Sequence, residues 1–246
     1  MISFIIPAHD EERLLAGTLA AIDAAARRLA LPFEIVVVDD SSTDRTGAIA
    51  REHGARVIHV RHRQIAATRN AGARAASGEM LTFVDADTIV TDEVVRAAVR
   101  AMQEGAVGGG SAFRFDGRLP LYGRVLQAVA VPLYRAAGLA SGCFLFCTRQ
   151  AFLATGGFDE DMFGAEEAAM SRALRRCGRF VVLREAVTTS GRKLRAHSGR
   201  EVLGTMVRLA VSGGRSIRRR EGLDIWYGER RPDPEPEAGS ACGSER

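Results

Sequence analysis

Through Gly105 the chain alternates short apolar runs with segments whose apolar residues recur three and four apart. Ile2–Ile6 is an apolar run closed by Pro7 and predicts a buried strand. From Glu11 to Ala30, Leu14, Leu15, Leu19, Ile22 and Leu29 follow a helical spacing. Glu34–Val38 predicts a second strand, ending in Asp39-Asp40-Ser41-Ser42. Thr43 and Asp44 suit the start of a helix reaching His53, with Gly54 past its end. Arg56–Val60 is a third strand, Ile65–Ala76 a helix, Met80–Val84 a fourth strand and Asp92–Gln103 a helix. Strand-helix alternation of this kind builds a parallel sheet with right-handed crossovers and helices on both faces. The runs are apolar throughout, as strands covered on both faces require.

Past Gly105 the rhythm loosens. Val107–Phe115 predicts strand around Gly108-Gly109-Gly110, and Leu119–Ala137 a long apolar helix. Cys143–Cys147 and Phe180–Leu183 read as strands, and Arg149–Ala154, Glu166–Cys177 and Glu201–Val211 as helices. The fold class is therefore α/β: a Rossmann-type, mostly parallel sheet flanked by helices in one domain over residues 1–212. Its first half is 1–105 and its second 106–212. A basic and aromatic segment, 213–230, follows, and 231–246 is rich in Pro, Glu and Gly, which predicts disorder.

Composition narrows the class. The chain has 246 residues, 46% hydrophobic and 26% charged, which excludes a wholly disordered, collagenous or coiled-coil protein. Cys143, Cys147, Cys177 and Cys242 make no disulfide framework and no zinc-ribbon spacing, which suits a reducing compartment. The N-terminus runs directly into a strand without a signal-peptide pattern. The apolar stretch Leu119–Phe146 is broken by Arg124 and Arg135 and makes a poor membrane span. The expected location is cytoplasmic. Net charge is +4, yet Arg172 to Arg220 holds fourteen basic residues against Glu185 and Glu201, a balance of +12 that leaves −8 elsewhere. The basic part calls for an anionic partner: nucleotide phosphates, an acidic acceptor or a lipid surface.

Ligands of open parallel sheets bind outside the carboxyl ends of the strands. Those ends carry Pro7-Ala8-His9-Asp10-Glu11-Glu12, Asp39-Asp40-Ser41-Ser42-Thr43-Asp44 and Asp85-Ala86-Asp87. With neighbouring strands about 4.8 Å apart, the carboxylates converge on one rim. Concentrated negative charge needs a cation or a donor-rich ligand. Asp85-x-Asp87 suits Mg²⁺ or Mn²⁺, which joins one or two carboxylates to substrate phosphates. The same acids also suit turn and helix-start roles: Asp39 and Asp40 in an Asx-turn, Glu166 and Glu167 at a helix N-terminus. No GxGxxG or Walker A loop is present.

In order along residues 2–180, the motifs Ile5–Glu12, Val36–Asp44, Ala67–Gly72, Phe83–Asp87, Gly156–Glu160 and Glu166-Glu167 resemble those of the family 2 glycosyltransferases, inverting enzymes of the GT-A fold. The resemblance implies a GT-A-like domain whose first half binds a nucleotide diphospho-sugar (UDP-, GDP- or dTDP-linked) and whose second meets an unspecified glycosyl acceptor. It implies that Pro7, His9 and Glu11 line base and ribose, Asp39 accepts from the base, Arg69 faces the nucleotide and Asp85 holds the ribose; Arg69 equally suits a structural bridge to the acidic rim. Asp87, with Asp85, would hold Mn²⁺ or Mg²⁺ on the diphosphate. His9 and Asp10 stand where the family often has an aromatic residue and Asn. The general base falls on Glu166-Glu167; the family's Asp position is Glu167, one methylene longer. Ser190–His197 is expected as a flexible basic loop whose Arg192 and Lys193 close on the diphosphate, with His197 as a further metal ligand.

Arg218, Arg219 and Arg220, followed by Trp226 and Tyr227, suit peripheral contact with an anionic membrane at its inner face, or simply a solvated helix end. No nucleic-acid-binding module accompanies the charge. Two alternatives stand beside the transferase: a nucleotidyltransferase that makes the activated sugar, and a degenerate, non-catalytic GT-A binding protein. The absence of glycine in Pro7-Ala8-His9-Asp10 speaks against the first, and the retained acids against the second.

Overall fold

A computed structural model of the chain describes residues 1–211, 216–228, 231, 233 and 234. Strands β1 (Ile2–Ala8), β2 (Phe33–Asp40), β3 (Arg56–Val60) and β4 (Met80–Val84) pair in parallel as β3-β2-β1-β4. Between them run α1 (Leu15–Arg28), α2 (Thr46–Glu52) and α3 (Ile65–Ala75). Alternate residues of β1 point to opposite faces. Phe4 and Ile6 join Leu15, Leu19 and Ile22 of α1 in one core layer, while Ile5 joins Val36, Val38, Leu81 and Phe83 in the other. Phe83 is fully buried, stacked on Phe152 at 5.7 Å and edge-on to Phe158 at 4.9 Å. Truncating such a residue costs about 3–5 kcal/mol. Helix α3 lies close on the sheet at Gly72, where a β-carbon would sit 2.8 Å from Val38 and clash with Ile5.

The sheet continues β4-β7-β6-β8-β5, giving eight strands in all. β5 is Thr88–Ile89, β6 Gly108–Phe115, β7 Phe144–Thr148 and β8 Phe180–Thr189. β7 runs antiparallel to β4 and β6, β5 antiparallel to β8, and β6 parallel to β8. The second half adds α4 (Asp92–Gln103), α5 (Leu121–Ala137), α6 (Arg149–Thr155), α7 (Glu166–Cys177), α8 (Arg192–Ala196), α9 (Gly199–Val211) and α10 (Asp224–Tyr227).

The sequence expectations need three corrections. The strand expected to stop at Leu183 continues to Thr189, and β5 was not foreseen. The segment expected as a flexible loop forms the short helix α8. Arg195 pairs with Asp233 at 2.6 Å and Arg231 with Glu201 at 3.1 Å. Residues 235–246 and the side chain of Trp226 lie outside the described residues. Of the three clustered arginines, Arg218 faces Asp159 and Asp161 at 3.5 and 3.4 Å, and Arg220 stacks over Tyr227 at 5.5 Å.

Candidate active site

The strand ends do share a rim, and its backbone is strained there. Asp10, Ser41, Arg63 and Ala165 all have positive φ, between 50° and 61°. Each non-glycine residue in that region costs on the order of 1–3 kcal/mol. Asp10 turns the chain out of β1 and Ser41 out of β2, while Ala165 sets the bend that opens α7 on Glu166-Glu167.

Two guanidinium groups organise the carboxylates. Arg69, on α3 and 3% exposed, donates to Asp85 at 2.9 Å, to Glu166 at 2.8 Å and to the Gly142 carbonyl at 3.0 Å. Its burial opposes the charge, but Asp85 and Glu166 outweigh that and hold it ionised. One nitrogen, Nε, has no protein partner. The bridge ties the end of β4 to the start of α7. Arg192, at the start of α8, donates to both oxygens of Glu11 at 2.5 and 2.7 Å and lies 3.3 Å from Asp87. The other Asp87 oxygen accepts from Thr189 at 3.3 Å. Burial, with Asp87 adding to it, pushes Asp85 upward against the pull of Arg69, and Lys193 also acts on Asp85.

The acid pair is divided by this bridge. Glu166 is spent on Arg69. Glu167 makes no ion pair among the described residues, and its carboxyl is pushed up to about 8 by burial and by Glu166. Tyr134 of α5 stands nearby; burial and the charges of Glu167 and Glu166 push it up to about 12.

At the other end of the rim, Asp39 accepts from the Ser42 amide at 3.1 Å and faces His59 at 3.1 Å. The Asx-type turn is real, and both oxygens are engaged. Asp40 is structural: it accepts from the His62 and Gln64 amides at 2.8 and 3.2 Å and from Thr68 at 2.8 Å, fastening β2 to the start of α3. His9 Nδ1 lies 2.8 Å from the Asp40 carbonyl, with Asp10 at 3.0 Å and Arg63 against the ring. Pro7 sits opposite Val38 in the β1–β2 register. His197 is not brought to Asp85 and Asp87; its ring faces Glu201 at 4.0 Å. Among the described residues no group of three or more His, Cys, Asp or Glu side chains is placed to hold a metal by itself.

Thr189, Gly142, Tyr134, Arg63 and His59 were missed from the sequence. Each reaches its partner from a distant part of the chain or from an unremarked loop, so no local spacing marks it. Asn70 belongs with them: its amide donates to the Phe158 carbonyl at 2.9 Å and to Glu160 at 2.8 Å, and accepts from the Phe158 amide. It locks the Gly156–Glu160 motif onto α3.

A family model described as Glycosyl transferase family 2 matches residues 3–153, more than half of the chain. The chain belongs to this family. Similar proteins include the validoxylamine A glucosyltransferase of Streptomyces hygroscopicus subsp. limoneus, 34% identical over 109 residues, 41% of this chain and 23% of that protein. Another is the dolichol-phosphate mannosyltransferase of Pyrococcus furiosus, 29% identical over 145 residues, 55% of this chain and 41% of that protein. The chain thus spans less than half the length of each. Among solved structures, the mannosyltransferase PcManGT of Pyrobaculum calidifontis, in complex with GDP-Man and Mn²⁺, superposes with a TM-score of 0.67 at 18% identity, over 92% of this chain and 68% of that one. The glucosyl-3-phosphoglycerate synthase of Mycobacterium tuberculosis, in complex with Mn²⁺, UDP and phosphoglyceric acid, gives 0.58 at 22% identity, over 95% and 80%. These likenesses establish the GT-A fold for this chain.

Proposed function

We propose that this family 2 protein transfers a sugar, with inversion, from a nucleotide diphospho-sugar to an acceptor hydroxyl, with a divalent metal. The observation that carries the reading is the Arg69 bridge. It joins Asp85 at the end of β4 to Glu166 and leaves the neighbouring Glu167, whose raised pKa Asp85 helps to set, without an ion pair among the described residues.

In this reading Pro7, His9, Glu11 and Asp39 line the nucleoside, and Asp85 orients the ribose. The donor set fits a hard divalent cation. Asp85 and Asp87 offer carboxylate oxygens, too few for a protein-only cage and suited to an ion completed by substrate phosphates. A cationic guanidinium lies 3.3 Å from Asp87, a place where positive charge is favoured and which a bound metal would share or take over. When bound, Mn²⁺ or Mg²⁺ would stabilise charge on the departing diphosphate. Arg192 and Lys193 face the same charge from α8. Glu167 takes the acceptor proton; Glu166, held by Arg69, cannot turn to do so without giving up a buried ion pair. His197 as a metal ligand has no support in this arrangement.

The testing experiment is a donor screen: UDP-, GDP- and dTDP-sugars with Mn²⁺, scored for nucleotide release. Release with one donor, abolished by chelator and restored by metal, supports the reading. A thermal shift by nucleotide with no release from any sugar would favour the non-catalytic alternative instead.

A further inference from the structure

Helix α5 wears its apolar side outward. Leu121, Val125, Val129 and Leu133, spaced four apart, are 56–74% exposed, and Gly123 is the buried residue of the helix. Side chains at this spacing form one stripe. A contiguous exposed apolar stripe marks an interaction surface. On α9, which begins against Tyr122 of α5, Leu203 and Val207 are also more than half exposed.

The charge around the stripe selects the partner. No Asp or Glu occurs between Asp116 and Asp159, while Arg124 and Arg135 stand exposed on α5 itself. An apolar stripe on a helix that carries exposed arginines and no acid of its own, with Glu201 of α9 as the acid near its first turn, fits an anionic phospholipid surface. At 17 residues α5 is about 25 Å long and would lie along that surface. No helix among the described residues is long and apolar enough to cross a membrane.

The position of α5 gives such docking a use. Its first turn is fastened to α8, where Tyr122 donates to the carbonyls of Leu194 and His197, the latter at 2.7 Å. Its last turn is fastened to α7, where Arg175 donates to the Ala137 carbonyl at 2.8 Å, and just past its end the Ala140 amide donates to Ser171 at 3.0 Å. The helix therefore spans from the element that carries Arg192 to the element that opens on Glu167. We propose that α5 docks this protein on an anionic bilayer, with the acceptor end of the site turned to the lipid surface. The transferase reading enters only in calling that end the acceptor end. Arg218 and Arg220, occupied within the protein, are not needed.

The test is co-sedimentation of the full chain with vesicles of phosphatidylcholine alone and with about one third phosphatidylglycerol. The wild type should bind the anionic vesicles. A Val125→Gln/Val129→Gln double variant, with unchanged circular dichroism, should bind at least tenfold more weakly, and Val125→Leu/Val129→Leu should bind as well as wild type or better. Arg218→Ser/Arg219→Ser/Arg220→Ser should keep most of the binding. Equal binding by wild type and the Gln variant overturns the proposal. So does a wild type that ignores vesicles but forms a dimer, by light scattering, that the Gln variant loses; the face is then a contact between copies. UDP or GDP with Mn²⁺, added in a parallel thermal-shift measurement, separates the two readings. Vesicle binding without any nucleotide shift sinks donor binding and leaves docking standing, and the reverse result does the opposite.

Discussion

Arg69 decides which member of the acid pair is free to act. A buried guanidinium between Asp85 and Glu166 leaves Glu167 with the raised pKa of about 8. Glu167→Gln is expected to slow transfer by about 10²–10⁴-fold, because the amide cannot take a proton, while donor affinity holds. In the wild type kcat/KM should climb with pH through the titration of Glu167, since the ionised form is the active base; that limb should vanish in the variant. A Glu166→Gln enzyme crippled equally, with Glu167→Gln still active, would reverse the assignment. Asp87→Ala removes an oxygen donor and should cost about 10²-fold or more in metal-dependent turnover. Near-normal rates at saturating Mn²⁺ would count against it. The sequence made Asp39, Asp85, Asp87 and the acid pair legible as candidates because they follow buried strands or open a helix, whereas Arg69, inside α3, was a candidate only through the family resemblance. It could not divide Glu166 from Glu167, since the division is made by a residue 97 positions away along the chain.

At the scale of elements, the first four strands and α4 and α7 were readable almost to the residue, because long apolar runs and long periodic helices carry their own signal. β5 has two residues and α8 five, too short for any period to show. β8 runs on past Leu183 through Arg184 and Glu185, whose exposed side chains end the apolar run where the register to β6 shifts; the ladder resumes at Ala186 and reaches Thr189. What the short helix α8 does is set by Arg192, which in this structure clasps Glu11 and Asp87. On the proposed function a diphosphate and a metal would compete for those same groups, so donor binding should turn Arg192 from the carboxylates to the phosphates. Charge-assisted hydrogen bonds of this kind contribute about 1.5–3 kcal/mol. Arg192→Ala should therefore raise the donor KM by about ten- to a hundredfold, and initial-rate kinetics over a donor series would show it. An unchanged donor KM would confine Arg192 to holding Glu11 and Asp87 in the free protein.

Across the whole molecule, the two halves of the domain share the β4–β7 ladder and both apolar core layers, and polar groups add a second set of ties at the rim. Arg69 and Asn70, neighbours on α3, reach Glu166 and the Phe158–Glu160 turn respectively. The candidate site thus lies where residues 1–105 and residues 106–212 meet, and its charges bear on the stability of both. Glu167 makes this measurable. Its pKa rises from an ordinary 4.5 to about 8 on folding, so the folded state prefers the protonated carboxyl. By linkage, that preference contributes fully below about pH 4.5 and is lost as pH rises toward 8, where a half-buried anion beside Glu166 must be tolerated. Replacing it with neutral Gln removes the penalty. The melting temperature of Glu167→Gln should therefore match the wild type at about pH 4.5, exceed it increasingly up to about pH 8 and level off above that, even as activity falls. Thermal denaturation across that range, without metal or nucleotide, checks it. A gap that stays constant with pH would mean that Glu167 ionises as freely in the folded protein as in the unfolded chain.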